Sequence, residues 1–145
     1  MAPVLNQIDL VAQNVDASIA FYRLLGAKIR KADIWATRTG AHHVVVKFGN
    51  GVDLALISPK MARAYNGGYR GKGRGGALVI GFAVKTRGAV DARYAGLTAA
   101  GYEGQQPPFD AFWGARYAIV ADPDGNHVGI MSPMDAKKRY PGPEL

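Results

Sequence analysis

The 145-residue chain predicts an α+β fold made of two tandem βαβββ modules. Three observations predict it. A strand-like run, a helix and three more strand-like runs occur twice in the same order. A glycine closes the helix of each half, at Gly26 and at Gly101. Landmarks also recur at nearly constant spacing: Gly26 with Gly101, Gly49-Asn50 with Gly125-Asn126, and Ser58 with Ser132 lie 75, 76 and 74 residues apart. Three matches at one period are the mark of an internal duplication.

The elements follow in order. Residues 4–11 alternate as a half-buried strand. Asp16 is placed to cap a helix that runs to Leu25, with Ile19, Tyr22 and Leu25 on one face and Phe21 beside them. Strands are expected over 27–37, 42–48 and 52–58, with Gly49-Asn50-Gly51 supplying the hairpin. Residues 59–76 are rich in glycine and read as a mobile connector, with a lid as the alternative reading. In the second half, 78–84 reads as an apolar strand. Residues 88–100 read as a helix with Val90, Tyr94 and Leu97 inward. A short strand from Tyr102 is broken by Pro107-Pro108, and strands follow over 113–121 and 127–132. The whole is one domain, 1–145, comprising module one (1–58), linker (59–76), module two (77–133) and a peripheral tail (134–145).

Composition narrows the function classes. Hydrophobic residues make up 48% and charged residues 20%, the balance of a globular chain. The longest apolar stretch, 77–84, is too short to span a bilayer, and the N-terminal residues lack a signal-peptide pattern, so a cytoplasmic protein without a membrane partner is expected. With no cysteine there is no disulfide, thiolate metal site or thiol nucleophile. The net charge of +7 favours anionic partners. It is scattered, however, which argues against nucleic acid as a partner; the exception, Lys60, Arg63, Arg70, Lys72 and Arg74, reads as a solvated loop.

Two segments carry a resemblance: Asp16-Ala17-Ser18-Ile19-Ala20-Phe21-Tyr22 followed by Leu25-Gly26, and Trp113-Gly114-Ala115-Arg116 leading to Asp122-Pro123-Asp124-Gly125-Asn126. With the repeat, they make the chain resemble the vicinal oxygen chelate superfamily, which includes glyoxalases, bleomycin-resistance proteins and extradiol dioxygenases. The resemblance implies a partly open, barrel-like sheet with helices outside, a ligand cup on its concave side, and a homodimer. It also implies that metal-using members place ligands at positions that here carry Gln7, Ala55, Val79 and Gly129. Three of those side chains offer no donor atom, so a site without metal or other cofactor is expected, which speaks against glyoxalase-like or dioxygenase chemistry.

Alternation along the strands then outlines the cup. With Gln7 inward, Asp9 and Val11 follow; with Val79 inward, so do Gly81 and Ala83. The closing strands contribute Asp53, Ala55 and Ile57, and His127, Gly129 and Met131. Ala55, Gly81 and Gly129 form a floor with room for a guest, and Trp35, Phe112 and Trp113 form aromatic walls. Arg38 and Arg116 are candidates for a cationic rim, and Asp9 is the one weak candidate for a catalytic base. These residues point to a small-molecule-binding protein that holds a planar or hydrophobic, neutral-to-anionic ligand, as in drug sequestration. Cationic bleomycin itself suits a chain of +7 poorly. The alternatives are an enzyme with a reworked site, metal-dependent or acid–base, and a basic interaction module built on the linker.

Overall fold

Strand β1 (Gln7–Val11) opens the first half and pairs in parallel with β4 (Asp53–Ile57). The computed structural model describes residue 2, residues 7–65, residue 71 and residues 78–142. The chain divides into two compact units, 1–73 and 74–145, with the division inside the expected linker. Unit one holds a sheet of order β1-β4-β3-β2, where β2 is Ile34–Thr37 and β3 is Gly40–Lys47. Unit two repeats this as β5-β8-β7-β6, with β5 at Val79–Ala83, β6 at Gly104–Asp110, β7 at Arg116–Ala121 and β8 at His127–Met131. In each unit the first strand pairs in parallel with the last, and the other pairings are antiparallel. Neither sheet closes on itself among the described residues. No described helix is long and apolar enough to cross a membrane.

The duplication is visible down to the register. Trp35 opposite His43 opposite Ile57 opposite Val11 in unit one corresponds to Phe109, Tyr117, Met131 and Ala83 in unit two. Ser58 N–H donates to the His42 carbonyl just as Ser132 N–H donates to that of Arg116.

Each helix covers one face of its own sheet. Helix α1 (Val15–Leu25) buries Val15, Ile19, Phe21, Tyr22 and Leu25 towards β3 and β4. It meets there the alternate strand residues Leu10, Val44, Val46, Leu54 and Leu56, all buried. Gly26 takes φ 120° at its C-terminus, a conformation that costs an L side chain dearly. Helix α3 (Arg87–Ala99) buries Val90 and Leu97 in the same way, capped by the Thr86 hydroxyl. Tyr94 is half-buried, with its hydroxyl lying over Gly104.

Several expectations are corrected. The cap of α1 is Asn14, whose Oδ1 accepts from Ala17 N–H at 3.0 Å; Asp16, inside the first turn, instead accepts from Ala41 N–H on β3. Residues 27–30 are not strand, and Lys31–Asp33 form a 3-10 turn before β2. Proline does not break the sixth strand, because β6 is an edge strand and takes up Pro107 and Pro108 within the register shift between Gln106 and Phe109. Trp113 lies in the turn before β7, where Gly114 has φ 95°.

The connector begins as a helix, α2 (Pro59–Tyr65), with Met61 N–H donating to the Ser58 hydroxyl. Arg70, Lys72 and Arg74, and with them the lid expectation, fall outside the described residues. The tail, finally, is pinned as far as Tyr140: Asp135 N–H donates to the Gly114 carbonyl and Tyr140 N–H to that of Phe112.

The turn 122–126 depends on one buried carboxylate. Asp122 accepts from Asp124 N–H and Asn126 N–H through Oδ1, and from the Asn126 amide through Oδ2, at 2.8–2.9 Å. Asp122→Ala strands three donors, at about 1–3 kcal/mol for each one left without water. Asn14→Ala removes a single exposed cap worth about 1 kcal/mol. Urea unfolding is expected to rank Asp122→Ala as clearly the more damaging; equal losses would contradict this account of the turn.

Candidate binding site

The faces opposite the helices carry the expected inward residues, and the two sheets treat them differently. In unit two the row Val79–His127, the row Gly81–Gly129 and the row Ala83–Met131 lie side by side on that face. Together with Trp113 and Tyr117, residues Val79, Gly81, Ala83 and Met131 enclose a hollow of about 380 Å³. Its surface is almost entirely hydrocarbon and aromatic, which suits an organic guest.

The hollow exists because of where bulk is missing. A methyl group added at Gly81 would meet nothing within 4 Å. At the paired position the opposite holds: a methyl group at Gly129 would lie 2.6 Å from the Tyr117 hydroxyl and 3.0 Å from its ring. The Tyr117 ring therefore rests on Gly129. The floor expected at three positions is open at Gly81, capped by Tyr117 at Gly129, and sealed at Ala55, which has no exposed surface.

Tyr117 organises an aromatic wall. Its ring centroid is 5.4 Å from that of Trp113 and 6.1 Å from that of Phe109, both edge-on, and Phe112 meets Trp113 edge-on at 5.0 Å. Edge-to-face contacts of this kind fix ring orientation as well as burying area. Burial pushes the Tyr117 hydroxyl above its ordinary pKa, so it stays a neutral donor across the physiological range. Sequence reading named Phe112 and Trp113 but missed Phe109 and Tyr117. Alternation through β7, with Ala118 and Val120 as core, is the signal that marks Tyr117.

The remaining sequence candidates disperse. Arg116 points to the helix side, where its Nε donates to Asp91 at 2.9 Å and its Nη1 to Asp110 at 3.2 Å; Arg87 also binds Asp110. Beside these guanidiniums the Asp110 carboxyl titrates below the usual carboxylate range, Arg87 having the larger effect. Arg116 thus has carboxylate partners on the face away from the hollow. Arg38 is exposed in the β2–β3 turn. His127 is half-buried opposite Val79.

In unit one, Gln7 and Asp9 are exposed neighbours on one face, with the Gln7 amide donating to Asp9 Oδ1 at 2.6 Å. Asp53 lies across from Gln7, and Ala55 across from Asp9. Trp35, 52% exposed, stacks at a tilt on His42, 5.2 Å between centroids.

These residues do not fit the divalent ion implied by the resemblance. Gln7 is the only donor among the four corresponding positions, and a single amide oxygen cannot hold a divalent ion. Unit two supplies hydrocarbon at Val79 and a ring-covered glycine at Gly129. Among the described residues no three His, Asp or Glu side chains converge on a point. A cation needs several such donors at once.

The comparisons with known proteins agree with this architecture. The family model described as Glyoxalase/Bleomycin resistance protein/Dioxygenase superfamily matches residues 4–130. No curated protein matches the chain. Among solved structures, a hypothetical protein from S. aureus is similar at TM-score 0.71 and 22% identity, covering 92% of this chain and 95% of that one. A glyoxalase/bleomycin resistance protein/dioxygenase from Nocardioides gives 0.67 and 23%, covering 100% and 91%. A lactoylglutathione lyase from Agrobacterium tumefaciens gives 0.62 and 22%, covering 91% and 94%. At these identities the likeness is one of fold.

Two glycines make the site testable. Gly129→Ala forces Tyr117 off its seat and is expected to cost about 1–3 kcal/mol, the range for overpacking. Gly81→Ala adds a methyl group to open space and is expected to be close to neutral. Thermal unfolding of both variants checks this; equal effects would contradict the placement of Tyr117.

Proposed function

The chain belongs to the glyoxalase/bleomycin resistance protein/dioxygenase superfamily, and from that premise we propose that it binds a small organic molecule by affinity, without a metal and without turnover. The observation that carries the reading is the apolar hollow over Gly81, walled by Trp113, Tyr117 and Met131. Its guest is planar or hydrophobic, because edge-on aromatic rings and a flat glycine floor favour flat contact area. It is neutral or anionic, because a chain of +7 repels cations at long range. The guest presents a hydrogen-bond acceptor to the Tyr117 hydroxyl, which has no protein acceptor among the described residues and stays protonated. Sequestration of a drug or metabolite inside the cell by a homodimer with one such hollow per chain is the form of the function that the family resemblance supports.

The test is a thermal-shift and calorimetric screen of planar neutral and anionic antibiotics and metabolites, followed by two variants. Gly81→Leu fills the hollow from its floor with little strain. It is expected to lower affinity for any hit at least about tenfold, or 1.4 kcal/mol, while leaving the melting temperature nearly unchanged. Tyr117→Phe is expected to weaken ligands that carry an acceptor and to spare those without one. Full affinity in Gly81→Leu would place the ligand elsewhere and overturn the reading.

A further inference from the structure

Unit one carries a pair of hollows on residues the proposed function does not use. One, of about 190 Å³, is mostly apolar and is lined by Trp35, Thr37, His42, Lys60, Met61 and Ala64. The other, of about 370 Å³, is polar, and Asp16, Thr39, His42, Ser58, Lys60 and Arg63 contribute to it. The two meet at His42 and Lys60, which line both.

The boundary between them is held firmly. His42 Nδ1 pairs with the Ser58 hydroxyl at 2.9 Å, and Nε2 pairs with the Thr37 and Thr39 hydroxyls at 2.9 and 3.2 Å. Its ring is packed against Trp35. Lys60 and Arg63 stand three residues apart on α2 and so share one side of that helix. Among the described residues, the one carboxylate that lines the polar hollow is Asp16, which accepts from Ala41 N–H at 3.0 Å. The cationic end of the polar hollow is therefore the end at α2, beside the partition to the Trp35 hollow.

From this juxtaposition the geometry points to a second binding site, for an aromatic phosphate: the phosphate beside Lys60 and Arg63 within reach of the Thr39 hydroxyl, and the planar group in the apolar hollow against Trp35 and Met61. Phosphate is the group that two neighbouring cations and a hydroxyl recognise together. An exposed indole face next to it favours a ring over an alkyl chain. The site is independent of the Gly81 hollow, which lies in the other unit.

The experiment is a 1H–15N NMR titration of the full chain with phenyl phosphate, inorganic phosphate and phenol at constant ionic strength, reading Trp35, His42 and the backbone of α2. Phenyl phosphate is expected to move these signals and to bind more tightly than either fragment. Lys60→Gln with Arg63→Gln is expected to weaken both phosphates about tenfold. Trp35→Ala is expected to weaken phenyl phosphate about fivefold and leave inorganic phosphate unchanged. Arg38→Gln, a basic residue outside both hollows, serves as the charge control and is expected to change neither. Absence of shifts at these residues, shifts at Trp113 and Tyr117 instead, or equal weakening by Arg38→Gln would each overturn the proposal.

Discussion

The seat of Tyr117 on Gly129 is the contact on which the site depends. Glycine at 129 lets the phenol ring lie down on the sheet, and the ring then fills one half of the floor while Gly81 across the ladder leaves the other half empty. Trp113 and Phe109 pack edge-on to a ring held in this way, so the wall orientation follows from the floor. A side chain at 129 would lift the ring and close the hollow; a large side chain at 81 would fill it. One missing Cβ fixes the wall and another makes the space.

The two units show how duplication was put to different uses. Register equates His43 with Tyr117 and Trp35 with Phe109, so both sheets inherit an aromatic or imidazole ring at corresponding points. In unit two that row gathers more aromatic neighbours and becomes an apolar wall. In unit one the pairing of β2 with β3 shifts register between Trp35 and Ala36, and His42 binds Ser58, Thr37 and Thr39. The equivalent of His42 is Arg116, and it pairs instead with Asp91 and Asp110. One scaffold thus supports an apolar hollow in one copy and a hydrogen-bonded one in the other.

Much of this was legible in the chain because the repeat constrains every element twice. Period-two alternation placed Gly81, Gly129 and Met131 on one face, and the glycine landmarks placed the helix ends and hairpins. What escaped reading was whatever depends on contacts across the fold. Asp16 looked like a cap, but the better-placed Asn14 takes that role and frees Asp16 to reach β3. Residues 59–65 looked like linker because the glycines that follow them dominate the composition, yet Ser58 starts a helix there. Arg116 looked like a rim cation because strand parity was not traced through β7. The gap at Gly81 was legible as a missing side chain on the inward face, whereas the ring over Gly129 was not, because it depends on a contact from β7.

The central claim is that hydrocarbon and ring-covered glycine stand where metal-using relatives would need donor atoms, which leaves this chain a site for an organic guest. Elemental analysis of the purified full-length protein, grown with zinc, nickel, manganese and iron available, tests that claim most directly. The account predicts far less than one equivalent of any of these metals per chain. One tightly held equivalent, retained through dialysis and lost on substituting Gln7 or Asp53, would contradict it.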